Sequence, residues 1–174
     1  AKLYVERINI FGNSITQENV IRDSFEVDEG DPYNELLQAK TLNNIKSLNI
    51  FAEVDSLVTE GSTPAQKIID ITVEEKPTGE ISLGAGFGTE GGTFGFAVSE
   101  NNFLGRGVRL STSLRATQTT VRGNFTIYNP NFNYTGKALS TNIQSSVTDK
   151  LSSAGFESTK TGFSFGTSYE QFED

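Results

Sequence analysis

From Glu80 onward, apolar and polar residues alternate through one segment after another. Ile81, Leu83, Ala85 and Phe87 hold every second position of the first segment. The same spacing returns in Phe94/Phe96/Val98, Val108/Leu110/Thr112/Leu114, Val121/Phe125/Ile127, Leu139/Thr141/Ile143/Val147 and Phe163/Phe165/Tyr169. A period of two puts each set on one face of a strand. The intervening positions carry Ser, Thr, Asn, Gln and Gly, with the cations Arg109, Arg115 and Arg122. A soluble sandwich would turn its apolar faces inward onto a shared core. A transmembrane barrel does the reverse, with apolar residues toward lipid and polar residues toward a wet lumen. Spanning a bilayer takes about 9–11 residues of tilted strand, which these segments supply. The pattern predicts about six antiparallel, all-β transmembrane barrel strands over residues 78–174. About eight strands are the fewest that close a bacterial barrel, so six are an incomplete one, and Asp174 reads as a truncation point.

Residues 1–77 follow a different rhythm and read as β-α-α-β-β. Tyr4 to Phe11 alternates and stops at a Gly12-Asn13 turn. Ser14 and Gln17 have capping-box spacing, which places a first helix there with Val20, Ile21 and Phe25 on its apolar side. Asp31-Pro32 offers a second helix start, followed by Leu36, Leu37, Ala39, Leu42, Ile45 and Leu48 at helical spacing. Strands through 51–58 and 68–73 flank a turn at Gly61-Ser62-Thr63-Pro64. Two short helices over a three-stranded mixed sheet make a small α+β domain without a deep pocket. Such a sheet leaves an edge able to accept an extended peptide.

Charge and glycine sharpen the boundary between these halves. Residues 1–78 hold 14 acids and 7 bases, residues 79–174 hold 8 acids and 7 bases, and together they give the net charge of −8. Of 17 glycines, 14 follow position 78. Pro77 marks the hinge. An acidic balance argues against nucleic acid as a partner, since that role calls for clustered Lys and Arg. The hydrophobic fraction of 35% is low for a membrane protein, but only alternate residues of a barrel strand meet lipid. No run approaches the ~20 apolar residues of a transmembrane helix.

Candidate chemistry is sparse. Cysteine and histidine are absent, so a classical triad, an imidazole zinc site or a thiol nucleophile is unavailable. Gly84-x-Gly86-x-Gly88 lies inside a strand, not between a strand and a helix, so a phosphate loop is disfavoured. The acids Glu26, Asp28, Glu29 and Asp31 lack the ligand order of an EF-hand loop and read as a solvated turn. No enzyme activity, cofactor or metal is expected.

The ordered motifs resemble a known family. Val5-x-x-Ile8-x-Ile10-x-Gly12-Asn13, Asn34-Glu35 with Leu37, and Leu48-x-x-Phe51 are similar to a POTRA domain. Glu75-Lys76-Pro77-Thr78-Gly79-Glu80-Ile81-Ser82-Leu83-Gly84-Ala85-Gly86-Phe87-Gly88-Thr89 resembles the junction between the last POTRA domain and the first barrel strand of the BamA-type outer-membrane assembly family. Asn101-Asn102-Phe103-Leu104-Gly105-Arg106-Gly107 and Asn129-Pro130-Asn131-Phe132 resemble its turns between strands two and three and between strands four and five. The family's Arg-Gly-Phe plug loop and later strands are missing.

The resemblance implies a periplasmic, barrel-proximal POTRA domain followed by the N-terminal part of a barrel in the bacterial outer membrane. It implies a factor that receives client β-barrel proteins and templates their strands at the edge of barrel strand one, through Ser82, Leu83, Gly84, Ala85, Gly86, Phe87 and Gly88. Accessory assembly lipoproteins are the implied further partners, with Arg22 and Glu29 at positions that contact one of them; the lipid bilayer is the third. Phe103, Tyr128, Phe132, Tyr134, Tyr169 and Phe172 fall at strand ends that suit a periplasmic aromatic girdle. A two-partner-secretion or autotransporter-assembly transporter of the same superfamily is the alternative. A passive porin-like channel and a soluble β-sandwich binding module are the readings from other classes.

Overall fold

A computed structural model describes residues 2–89 and 91–169. Contacts divide the chain into two compact units, residues 1–78 with the short segment Leu104–Gly107, and residues 79–103 with those from 108 on.

The first unit contains β1 (Tyr4–Phe11), α1 (Glu18–Arg22), α2 (Glu35–Ser47), β2 (Phe51–Glu60) and β3 (Gln66–Glu75). The sheet order is β1-β3-β2, with β1 parallel and β2 antiparallel to the central β3. The core is aliphatic: Ile69, Ile71 and Val73 of β3 pack with Val5 and Ile8 of β1, Val54 of β2, and Ile21 and Ile45 of the helices. Gly12 turns the chain out of β1 at φ +90°, and a Cβ there would run into the Val73 carbonyl. That position therefore suits glycine on two counts.

Both helix starts differ from the sequence expectation. Ser14 does not close a capping box: Gln17 sits at the N-cap of α1 with no side-chain bond, and the Ser14 hydroxyl donates to Glu75 Oε2 at 2.8 Å. The second helix begins three residues after Pro32, because Pro32 is held extended in a bridge to Tyr4. Asn34 is the cap, its side chain accepting from the Leu36 N–H at 2.8 Å. Leu36, 79% exposed, and Ala39 lie off the face that Leu37, Leu42, Ile45 and Leu48 turn to the core. Gln38 and Thr41 are buried instead, the Thr41 hydroxyl accepting from the Glu26 N–H at 3.0 Å.

The second unit is one antiparallel sheet of six strands in sequence order: β4 (Gly79–Gly88), β5 (Gly91–Phe103), β6 (Val108–Thr117), β7 (Thr120–Asn129), β8 (Lys137–Lys150) and β9 (Phe156–Tyr169). A 3₁₀ turn (Phe132–Tyr134) links β7 to β8, and the short α3 (Leu151–Ala154) links β8 to β9. Each strand pairs with its sequence neighbour, so short connections suffice.

Candidate functional site

Directly opposed residues of antiparallel strands share a face, so the register sorts every side chain of the six-stranded sheet. One row runs Leu83, Phe96, Leu114 and Gly123; another runs Ile81, Val98, Thr112, Phe125, Ile143 and Phe163. Leu110, Ile127, Thr141 and Phe165 form a third, and Phe94 lies opposite Ala85 on the same face. Ile81, Leu83, Phe94, Phe96, Leu110, Leu114, Phe125, Ile127, Phe163 and Phe165, all from the alternating apolar sets, thus lie on one face. They are open to the surroundings: Leu83 is 71% exposed and Phe163 76%. Phe163 and Phe165 meet edge to face with ring centroids 5.8 Å apart.

The reverse face is mostly polar, with Ala97, Ala138 and Phe156 as its apolar members. Glu80, Ser99, Ser111, Thr126, Asn142 and Ser164 make one row, and Gly84, Gly95, Arg115, Arg122, Ser146 and Lys160 another. The Asn142 amide donates to Asn124 Oδ1 at 2.7 Å and to Thr126 Oγ1 at 2.8 Å, stitching β8 to β7. Arg115 and Arg122 stand directly opposite each other and line a recess of about 280 Å³ with Thr93, Thr117 and Thr120. Two like charges side by side need a high-dielectric surrounding. Arg109, on this same face, lies 5.7 Å from the centre of the Tyr128 ring, a cation–π contact.

The six aromatic positions separate accordingly. Phe103 opposes Val108, and Tyr169 opposes Lys137 beside the Leu139–Thr167 pair, which places both on the apolar face at one end of the sheet. Phe132 is half exposed in the 3₁₀ turn at that end, where the backbone of Tyr134 also lies. Tyr128 is different. It shares the polar face with Arg109, a placement at odds with a lipid-facing girdle. Phe172 lies outside the described residues.

Ser82, Leu83, Gly84, Ala85, Gly86, Phe87 and Gly88 belong to β4, an edge strand whose ten residues are all exposed. Leu83, Ala85 and Phe87 take the apolar face, and Ser82, Gly84, Gly86 and Gly88 the polar one. None of Gly84, Gly86 and Gly88 has a positive φ, and a Cβ on any of them would meet nothing within 4 Å. Neither backbone strain nor crowding in the described residues calls for glycine there. What remains is that these positions offer no side chain to hold the strand in place and carry extra chain entropy.

Arg22 and Glu29 come together on the first unit, but their partners are internal. The Ile8 N–H donates to Glu29 Oε1 at 2.9 Å, and Arg22 Nη2 donates to the Ile8 carbonyl at 2.9 Å. Arg22 also pairs with Glu18 at 2.6 Å. The other acids of that stretch have structural partners too. Glu26 accepts from Asn44 at 2.8 Å and faces Lys40 at 3.1 Å, and these bonds lower its pKa against the effect of burial. Asp31 Oδ2 accepts from the Asp28 N–H at 2.9 Å, closing a turn.

One carboxylate went unread in the sequence. Glu75 accepts from the backbone N–H groups of Ser14, Ile15 and Thr16 in succession, the shortest bond being 2.6 Å from Thr16. Burial alone would raise its pKa. The bonds from Thr16, Ser14 and Ile15 outweigh that and bring it to about 2. Three consecutive amides form an anion-binding nest, here filled from the far end of the domain. Sixty residues of separation left no local signal.

Comparison with known proteins agrees with this architecture. The POTRA family model, described as a surface antigen variable number repeat, matches residues 3–76. The chain is 35% identical over 116 residues to the outer membrane protein assembly factor BamA of Neorickettsia risticii (strain Illinois), covering 66% of this chain and 15% of that protein. It is 26% identical over 150 residues to BamA of Neisseria meningitidis serogroup B, covering 85% of this chain and 19% of that one. The chain therefore spans less than a fifth of these relatives. Among solved structures, BamA from Haemophilus ducreyi lacking POTRA domains 1–3 superposes with a TM-score of 0.81 at 23% identity, over 94% of this chain and 32% of that one. CdiB from Escherichia coli gives 0.65 at 15% identity, over 99% and 34%. BamA homologues are outer-membrane proteins with periplasmic POTRA domains. A POTRA domain joined to six strands that match a portion of the BamA barrel, together with these sequence relatives, makes the chain homologous to BamA.

Proposed function

We propose that the protein to which this chain belongs is a non-enzymatic factor that receives client β-barrel proteins through residues 1–77 and templates their strands on β4 in the outer membrane. The observation that carries this is the glycine pattern of β4: Gly84, Gly86 and Gly88 alternate on its polar face, none has a positive φ, and no described residue lies close enough to exclude a side chain there. An unpaired edge is a template for another strand. Weak side-chain anchoring makes it exchangeable. The naming of both curated relatives as assembly factors supports the same reading over a secretion transporter.

Three further assignments belong to this proposal. Lipid contacts the apolar face, with Phe103, Phe132 and Tyr169 in its periplasmic aromatic band. Accessory lipoproteins dock through the exposed parts of Arg22 and Glu29. Reversing both charges should weaken lipoprotein capture in a pull-down while the fold is retained, and unchanged capture removes the pair from the docking surface.

The seam is tested by crosslinking. Cysteines placed along Ser82–Gly88 should trap the terminal strand of a stalled client, with adducts stepping by two residues as side chains alternate between faces. A disulfide locking β4 to the last strand of the complete barrel should abolish insertion, and reduction should restore it. Full insertion by the locked barrel would show that clients do not enter through β4.

A further inference from the structure

The three-stranded sheet of the first unit has two outer edges, and they are not equivalent. Along β1, the chain covers its own edge. The Val5 N–H donates to the Asp31 carbonyl at 2.9 Å, the Gly30 N–H donates to the Val5 carbonyl at 2.7 Å, and the Tyr33 N–H donates to the Leu3 carbonyl at 2.8 Å. This backbone cover ends at Val5. A bulge between Val5 and Arg7 shifts the strand by one residue, so the next outward-facing N–H and C=O belong to Ile8. Side chains take both. Glu29 accepts the N–H and Arg22 caps the carbonyl, each at 2.9 Å, with the two side chains 3.9 Å apart and Arg22 braced by Glu18.

The donor and the acceptor are matched in kind: a carboxylate can only accept and a guanidinium can only donate. Together they occupy the two positions that an incoming strand would use at the middle of β1. Beyond them only Ile10 and the strand end are left, too short a stretch for stable pairing. β2 is the opposite case. Among the described residues, the outer edge of its ten residues receives no backbone bond.

We propose that Arg22 and Glu29 act as a clip that closes the β1 edge, so that an extended client segment can add only along β2. The inference rests on the reading of this unit as a receiver of client strands and adds the residues that decide which edge is used. The charges also acquire a second role: any ligand that draws Glu29 or Arg22 away uncovers Ile8.

The native chain has no cysteine, so single introduced cysteines report cleanly. The probe is a synthetic peptide with the sequence Phe156–Tyr169, carrying a thiol-reactive group, added to the complete protein in detergent. With Arg22 and Glu29 intact, Leu57→Cys on β2 should form adducts roughly tenfold faster than Arg7→Cys on β1, the equivalent of about one well-made hydrogen bond. Adding Arg22→Ala and Glu29→Ala should raise the β1 yield to that of β2. Glu29→Gln removes the charge and keeps the acceptor, so it should leave β1 closed. Equal yields on both edges in the wild type, or no gain at β1 in the double variant, overturn the clip.

Amide exchange at Ile8 separates this from failure of the receiving function. Exchange should accelerate about tenfold in Glu29→Ala and stay slow in Glu29→Gln. That result with no peptide adduct on either edge sinks client reception and leaves the closed edge standing. Unchanged exchange in Glu29→Ala sinks the clip itself.

Discussion

The two sheets of this chain are built from the same period-two alternation and dispose of their apolar faces in opposite ways. In β3, Ile69, Ile71 and Val73 lie under the helices at 3% exposure or less. In β4, Ile81 and Leu83 are each about 70% exposed. The difference is what covers the face. A sheet with helices packed on one side carries its own apolar solvent, whereas the six-stranded sheet leaves that part to hydrocarbon. Alternation by itself therefore says that one face avoids water, and the polarity of the other face says what kind of compartment lies behind it.

Substitutions can break this contrast, beginning where burial is complete. Ile71→Ala should lower the stability of the first unit by about 2–5 kcal/mol, since the site is sealed and leaves a cavity. Urea unfolding followed by amide exchange checks this, and a loss under about 1 kcal/mol would mean that the core collapses around the gap. On the second sheet, Leu114→Arg should cost the complete barrel about 2–4 kcal/mol in a bilayer, while Ser113→Arg, one residue along on the polar face, should be nearly neutral. Equal costs for the pair would remove the distinction between the faces.

Smaller effects test how the first unit is held shut. Glu75→Ala should cost about 1–3 kcal/mol, because three amides and a hydroxyl lose one acceptor. A carboxylate whose pKa falls on folding contributes stability above its ordinary value, 4.5, and the contribution fades as pH falls toward about 2. Acid titration of the wild type should show that extra loss between those values, and Glu75→Gln should lack it. Asn34→Ala should cost about 1 kcal/mol through loss of the α2 cap, readable as faster exchange in its first turn.

These sites also mark how far the sequence could be read. The faces of β4 to β9 were legible because a strand writes its face in single residues, and Ile81, Leu83, Phe94, Phe96, Leu110, Leu114, Phe125, Ile127, Phe163 and Phe165 share one side. The order β-α-α-β-β was legible from periodicity and turns. The helix starts were less so, since Pro32 was needed to bridge Tyr4 and Asn34 took the cap. Tyr128 read as one more interfacial aromatic, and only the register reveals Arg109 beside it. Arg22, Glu29 and Glu75 could be noted as charges. Their backbone partners lie 14, 21 and about 60 residues away and leave no residue-type signature.

The sheet order also sets a timetable. β4 to β9 can zip up hairpin by hairpin, each strand meeting its partner as soon as one turn has formed. β1 cannot. Its partner is β3, and Tyr4 waits for Gln66, Ile10 for Ile71. Until that distant strand arrives between them, β1 and β2 have no sheet to join, so the small domain must assemble in a single late step and is exposed to wrong pairings beforehand. A nascent chain stalled before Gln66 should accordingly remain protease-sensitive throughout residues 2–65, and one that has passed Glu75 should become resistant across residues 4–75 all at once.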